Sequence, residues 1–439
     1  MSYLLAYYGD DFTGSTDVLE VLSLGGVPTV LFLAPPSDEH LAAFPDVQAV
    51  GIAGISRSLK PEEMELELPP IFEALKKLCA TYTHYKICST FDSSPRLGSI
   101  GKATELSLKT FPQRALPLVV GAPALGRFVA FGNLFASVGA EAYRLDRHPT
   151  MSRHPTTPMT EADVRRHLAA QTELKVGLVD VLMLERGPEA TLERMAELVE
   201  EGRTVVLFDT LNDAHLLVVA EVLETLAEGG SGFVVGSSGV EYALTAHFRN
   251  SGRLETPRSP PSPGRAERII VMSGSAAPAT TAQLDEAERQ GFKLVRIDVT
   301  RLLGTDAELE HARLKIEACA ALSEGRNVAL YSAHGPDDRA LSALSGEQRA
   351  RLGSAQGALL RDLVETFGVR RVCVAGGDTC GYAARQLSLY ALEFLAPLAP
   401  GSPLCRGRSS SPLFDGLELS LKAGQVGRPD YFISVLNGH

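Results

Sequence analysis

The chain has 439 residues, 45% hydrophobic and 22% charged, the profile of a soluble globular protein rather than a disordered one. At ordinary domain sizes that length predicts about two or three domains. Forty-two basic and 53 acidic residues leave a net charge of −11, which argues against a nucleic-acid-binding surface spread over the molecule but leaves room for a local anion site.

The N-terminus, MSYLLAYYGDD, has no basic leader and soon reaches acid, so neither a signal peptide nor a membrane anchor is expected. Strand-like apolar runs follow at Leu4–Tyr8, Thr29–Leu33, Val50–Ile55, Tyr85–Cys88, Leu118–Val120, Val176–Leu182, Val205–Phe208 and Phe233–Val235. Helical patterns at Thr16–Leu24, Glu62–Leu78, Glu161–Ala170 and Glu189–Glu200 fall between many of them. Residues 250–267, NSGRLETPRSPPSPGRAE, have linker composition. Beyond them, runs at Ile269–Met272, Leu294–Ile297, Val328–Tyr331 and Val372–Ala375 alternate with helical patterns at Thr280–Glu288, Ala307–Leu322 and Ser354–Phe367. Near-continuous apolar strands alternating with helices predict an α/β fold of two doubly wound, mostly parallel-sheet domains with a cleft between them. The expected boundaries are 1–250, a Pro-rich linker at 251–267, and 268–439.

Cys79, Cys88, Cys319, Cys373, Cys380 and Cys405 form no CxxC pair, so reduced thiols are expected rather than a zinc knuckle or disulfide framework. No apolar run approaches the ~18 residues a spanning helix needs. A cytoplasmic protein with no nucleic-acid or membrane partner is expected. Its oligomeric state is not legible, and a homo-oligomer stays open.

In doubly wound sheets ligands lie beyond the carboxyl ends of the strands. The first run ends in Gly9-Asp10-Asp11-Phe12-Thr13-Gly14-Ser15-Thr16-Asp17, and a helix opens at once. Adjacent carboxylates there can accept substrate hydroxyls, hold a cation or act as a base. Helix capping explains one of these acids but hardly three. After the fourth run, Lys86 to Gly98 (KICSTFDSSPRLG) offers Lys86, Asp92, Arg96 and several hydroxyls, which suits a polyol bearing a carboxylate. Arg57 is a further candidate cation. Residues 143–160, YRLDRHPTMSRHPTTPMT, hold Arg144, Arg147, His148, Arg153 and His154 in a segment whose prolines forbid helix. Either an anion-contacting loop or a solvated one fits. Thr160 with Asp163 resembles a capping box for the next helix.

Small-residue turns that can cradle an anion follow strands at Gly236-Ser237-Ser238-Gly239, at Ser273-Gly274-Ser275, at Gly376-Gly377-Asp378-Thr379 and at Lys422-Ala423-Gly424-Gln425-Val426-Gly427. Neither GxxxxGK[ST] nor a clean GxGxxG occurs. Three cradles in one domain and an acid-and-hydroxyl site in the other describe a phosphoryl-transfer enzyme.

Taken together, DDFTGSTD, KICSTFDSS, HPTTPMT, VMSGSAAPAT, GGDT and LKAGQVG resemble the four-carbon acid sugar kinases, in order and nearly end to end. The resemblance implies an N-terminal sugar-acid domain, a C-terminal nucleotide domain and ATP-dependent phosphorylation of a terminal hydroxyl of acids such as 3-oxotetronates, threonate or erythronate. It places ATP contacts on Ser273, Gly376, Gly377, Asp378, Thr379 and Gly424, and acid contacts on Asp10, Asp11, Lys86, Asp92 and His154. Tyr8-Gly9 before the paired acids, Asp378 in GGDT and the long basic RLDRHPTMSRHPTTPM depart from the pattern, which brings a branched or oxidised acid such as 3-oxoisoapionate into range. With Mg²⁺ bridging the phosphates, Asp11 or Asp378 is the expected base, and the sequence does not choose between them. No metal-ligating residue is assigned. The competing reading is a non-catalytic sugar-acid- or nucleotide-binding or effector protein.

Overall fold

A computed structural model of the chain describes residues 3–154, 156–230, 232–255, 260–338, 341 and 344–439, apart from the side chain of Asp378. The chain divides into two compact units, the first of residues 1–10, 21–29 and 35–257, the second of residues 11–20, 30–34 and 258–439. The division is therefore not one cut in the sequence, because two short N-terminal segments are built into the second unit.

The strands in chain order are β1 (Leu5–Gly9), β2 (Thr29–Phe32), β3 (Ala49–Ala53), β4 (Tyr82–Lys86), β5 (Leu116–Val119), β6 (Arg127–Ala130), β7 (Asn133–Val138), β8 (Glu141–Arg144) and β9 (Val176–Val179). They continue as β10 (Val205–Phe208), β11 (Phe233–Gly236), β12 (Ile270–Ser273), β13 (Lys293–Arg296), β14 (Val328–Tyr331), β15 (Arg371–Ala375), β16 (Ala391–Ala399), β17 (Ser402–Arg408) and β18 (Glu418–Lys422).

In the first unit β3-β1-β4-β11-β5-β10-β9 form a wholly parallel sheet. Its central strands are buried along their length, as near-continuous apolar runs require. Register pairs Gly9 with both Ala53 and Lys86, and Lys86 with Gly236, so these strands end level and their following turns share one edge. A small antiparallel sheet, β6-β7-β8, is a feature the sequence did not reveal. Asp209, at the end of β10, accepts backbone N–H bonds from Phe131 (2.5 Å), Gly132 (2.9 Å) and Val181 (3.1 Å), tying this sheet to the parallel one. Burial pushes its carboxyl up to about 6.

In the second unit the order is β13-β14-β12-β15-β18-β17-β16-β2, parallel through β18 and antiparallel beyond it. The long β16–β17 hairpin was not expected. The core of this unit packs Ile269, Val271, Leu284, Phe292, Phe432 and Val435. Arg371, 2% exposed, pairs with Glu418 and donates to the carbonyls of Gly264, Val435 and Leu436, fastening the C-terminal helix Tyr431–Asn437 to β15. No described helix is long and apolar enough to cross a membrane.

Candidate active site

At the carboxyl edge of the first unit, Asp10 is buried and takes two side-chain bonds from Arg57, which stands in the turn Ser56–Ser58 after β3. The Asp10 N–H donates to the Lys86 carbonyl at 2.9 Å. Lys86 is itself buried and its Nζ donates to the Ile87 carbonyl at 3.0 Å. The next turn bends through Phe91 at φ 57, a left-handed conformation uncommon away from glycine. There Thr90 Oγ1 donates to Asp92 at 2.9 Å. With that one hydroxyl proton committed, the Cys88 thiol donates to Thr90 across 3.0 Å. Burial and then the Asp92 charge push the Cys88 thiol up to about 11, which makes it a neutral donor rather than a nucleophile. Arg57 and Asp10 act on the same thiol, so the structure brings Asp10, Arg57, Lys86, Cys88 and Asp92 together.

His154 is tied differently. Its Nδ1 accepts from the Thr157 N–H at 3.1 Å and lies 2.9 Å from Thr157 Oγ1, so among the described residues its bonds stay within its own turn. An accepting Nδ1 leaves the proton on Nε2. His148 does the same for the N–H groups of Thr150 and Met151. Arg144 is paired with Asp146, which neutralises part of the basic segment. Asp163 alone caps the helix Val164–Ala169, so the Thr160–Asp163 capping box does not form. From that helix His167 Nε2 reaches Ser93 Oγ at 3.1 Å, a contact with no signal in the sequence.

Asp11 belongs to the second unit and heads the helix Phe12–Leu24. Its carboxylate accepts from Thr13 Oγ1 and from the Gly14 N–H, each at 2.7 Å, so the capping role is realised. Its charge also reaches Cys380 on the helix Gly377–Ala384. Farther along the same helix, Glu20 accepts the Gly401 N–H at 2.7 Å. Burial first, then Asp17, pushes its carboxyl up to about 8.

The three turns of the second unit converge because register pairs Ser273 with Ala375 and Ala375 with Lys422. Gly376 holds φ 122, out of reach for most side chains. A Cβ on Gly274 would lie 1.9 Å from Thr379 Oγ1, and one on Gly424 would lie 2.5 Å from Ser275 Oγ, so both turns require glycine. Gly377 instead faces open space. Gln356 donates to the Ser273 carbonyl at 3.2 Å, while its buried Oε1 finds no hydrogen-bond partner among the described residues. Thr280 Oγ1 donates to the Gly424 carbonyl at 2.8 Å and accepts from Lys422 Nζ at 3.1 Å. Lys422, Thr280 and Gln356 were not singled out in the sequence, although Lys422 opens the KAGQVG turn. A floor of small residues, a helix start and an orphaned acceptor fit a nucleotide phosphate and its sugar. The side chain of Asp378 lies outside the described residues.

Two family models match the chain. The sugar-binding N-terminal domain family matches residues 5–244, and the nucleotide-binding C-terminal domain family matches residues 270–432. The chain thus belongs to the four-carbon acid sugar kinase family. It is 44% identical to the 3-oxo-isoapionate kinase of Paraburkholderia graminis, covering 99% of this chain and 94% of that one. It is 34% identical to the 3-oxo-tetronate kinase of Pseudomonas fluorescens, covering 99% and 96%. A crystal structure described as a putative tRNA synthase of Salmonella typhimurium superposes with TM-score 0.78 at 27% identity, covering 98% of each chain.

Proposed function

We propose that this ATP-dependent sugar-acid kinase acts on a branched 3-oxo acid of the 3-oxo-isoapionate type, phosphorylating a terminal hydroxyl. The observation that carries the choice is the 44% identity to a 3-oxo-isoapionate kinase, against 34% and less to the 3-oxo-tetronate kinases compared. In this reading Ser273, Gly376, Gly377, Asp378, Thr379 and Gly424 seat the nucleotide, and Asp10, Arg57, Lys86, Asp92 and His154 orient the acid. Asp11 takes the proton of the attacking hydroxyl. Its carboxylate is held in one orientation by Thr13 and Gly14, which supports that role. The first unit would then be the sugar-acid domain and the second the nucleotide domain, in the cytoplasm.

Mg²⁺ is the proposed companion of ATP. Among the described residues no three His, Cys, Asp or Glu side chains converge, so phosphate oxygens would supply most of the ligands, the sparing protein ligation Mg²⁺ usually takes. The ion would neutralise charge on the transferring phosphoryl group. The test is ADP release with a panel of 3-oxo-isoapionate, 3-oxo-tetronates, threonate and erythronate. 3-Oxo-isoapionate is expected to give the highest kcat/KM by about tenfold or more, the discrimination a few well-placed contacts supply. A tetronate turned over faster would reassign the substrate.

A further inference from the structure

Lys422 is a buried cation with no counter-ion among the described residues. It is 0% exposed, and among the described residues no ion pair includes it. Its Nζ donates to Thr280 Oγ1 at 3.1 Å, approaches the Gly424 carbonyl at 3.5 Å, and stands 5.8 Å from the centre of the Tyr431 ring. These are neutral partners. A desolvated ammonium without an anion is costly and is stabilised when one arrives. Thr280 Oγ1 lies 3.2 Å from Ser275 Oγ and donates to the Gly424 carbonyl, so Lys422 sits one hydrogen bond behind the turns that line the cradle.

We infer that the Lys422 ammonium is the fixed charge against which the nucleotide's phosphates are seated, a positioning residue acting through Thr280 and the Ser275–Gly424 contact. The inference rests on the proposed nucleotide site and adds to it a coupling between ATP binding and protonation. Without nucleotide, burial lowers Lys422 to about 8. The phosphates raise it, so binding near pH 8 takes up a proton. The other titratable groups facing it are Cys373 on β15, pushed up to about 12 by burial, and Cys380 and Tyr431, which burial also pushes well up, so that all three stay neutral near pH 8. Asp11 acts on Cys380 and Glu20 acts on Tyr431. Among the described residues Glu20 is a competitor, since it also titrates at about 8. The last phosphate proton, with a pKa of about 6, is gone by then.

The experiment is calorimetry of MgATP binding, without acid substrate, at pH 8 in buffers of different ionisation enthalpy, and across pH 7.5 to 9. The wild-type protein and Glu20→Gln are expected to take up about half a proton, and their affinity to fall roughly eightfold over that range. Lys422→Arg, always charged, is expected to bind with no uptake and a flat pH profile. Lys422→Met is expected to lose tenfold or more in affinity. Should Lys422→Met fail to fold, the wild-type and Lys422→Arg pair decides. ATP binding without uptake, or equal uptake in Lys422→Arg, overturns the inference and leaves the cradle standing. No ATP binding by the wild-type protein overturns both.

Discussion

Arg57 grips Asp10 through side chain and backbone at once: Nη2 to Oδ1 at 2.6 Å, Nε to Oδ2 at 3.1 Å, and the Arg57 N–H to the Asp10 carbonyl at 3.0 Å. The pair joins β1 to the turn after β3, and fixes the donor directions beside Lys86 and Asp92. Arg57→Met removes a fork-like ion pair from Asp10, whose side chain is 3% exposed. A stability loss of about 3 kcal/mol is expected, with Arg57→Lys in between because an ammonium cannot form the fork. Urea unfolding measures it. A midpoint unchanged in Arg57→Met would show that the pair does no structural work.

Asp11 combines a cap with the proposed proton acceptor, and two substitutions separate them. Asp11→Asn keeps an oxygen for the Gly14 N–H and turns its NH2 to Thr13 Oγ1, which can accept, so stability should change by less than about 1 kcal/mol while kcat falls on the order of 10²–10⁴-fold. Asp11→Ala should lose the same activity and about 1 kcal/mol more of stability. Near-normal kcat/KM in a folded Asn variant would remove Asp11 from the chemistry.

The nucleotide turns predict opposite outcomes for neighbouring glycines. Gly274→Ala drives a Cβ to 1.9 Å from Thr379 Oγ1, so it should destabilise the folded protein as well as weaken ATP binding. Gly377→Ala meets nothing within 4 Å, so the fold should be unchanged. Only ATP affinity should fall, because the methyl group occupies space proposed for phosphate. Equal ATP affinity in Gly377→Ala would move the phosphates elsewhere.

Glu20 makes stability depend on pH. Its folded-state value of about 8 lies above the ordinary carboxyl value of 4.5, so between those limits the folded state binds the extra proton. Stability is then full below about pH 4.5, falls as pH rises through 8, and is flat above. Glu20→Gln keeps an acceptor for the Gly401 N–H and cannot ionise, so it should gain on the wild type steadily from pH 5 to 8. Parallel Tm curves for the two proteins would deny the shift.

The parallel strands were legible because both faces are buried and the runs are apolar throughout, as at Val205–Phe208 and Val372–Val374. The β16–β17 hairpin was not: ALEFLAPLA carries Pro397 and no clean alternation, and its burial is mixed along the strand. The sheet β6-β7-β8 follows glycine-rich turns around Gly126 and Gly132 and buries little beyond Val129, Leu134 and Ala136. The acid cluster was legible as residue types at strand ends. Its pairings were not, because Asp10 with Arg57 spans 47 positions and rests on register between strands. Lys422 was missed because its meaning lies in what surrounds it, a burial no local pattern reveals.

The last prediction concerns where the chain can be cut. Residues 11–20 and 30–34 belong to the second unit, with Val30, Leu31 and Phe32 fully buried and β2 paired antiparallel to β16 through Ala391–Phe32, Leu392–Leu31 and Glu393–Val30. A fragment of residues 260–439 would lack that strand. It would expose the unpaired edge of β16, bare apolar surface and remove the partner of the Gly401 N–H. Such a fragment should be poorly soluble and should not bind ATP, even though Ser273, Gly376 to Thr379 and Gly424 are all present. A chain cleaved at a protease site inserted within residues 250–267 keeps every residue, so its two pieces should co-elute, and MgATP binding should survive the cut. Size-exclusion chromatography before and after cleavage decides. If the pieces separate and the C-terminal one alone stays soluble and binds ATP with full-length affinity, residues 11–20 and 30–34 are not part of the nucleotide unit's fold, and Asp11 has to be assigned to the acid side alone.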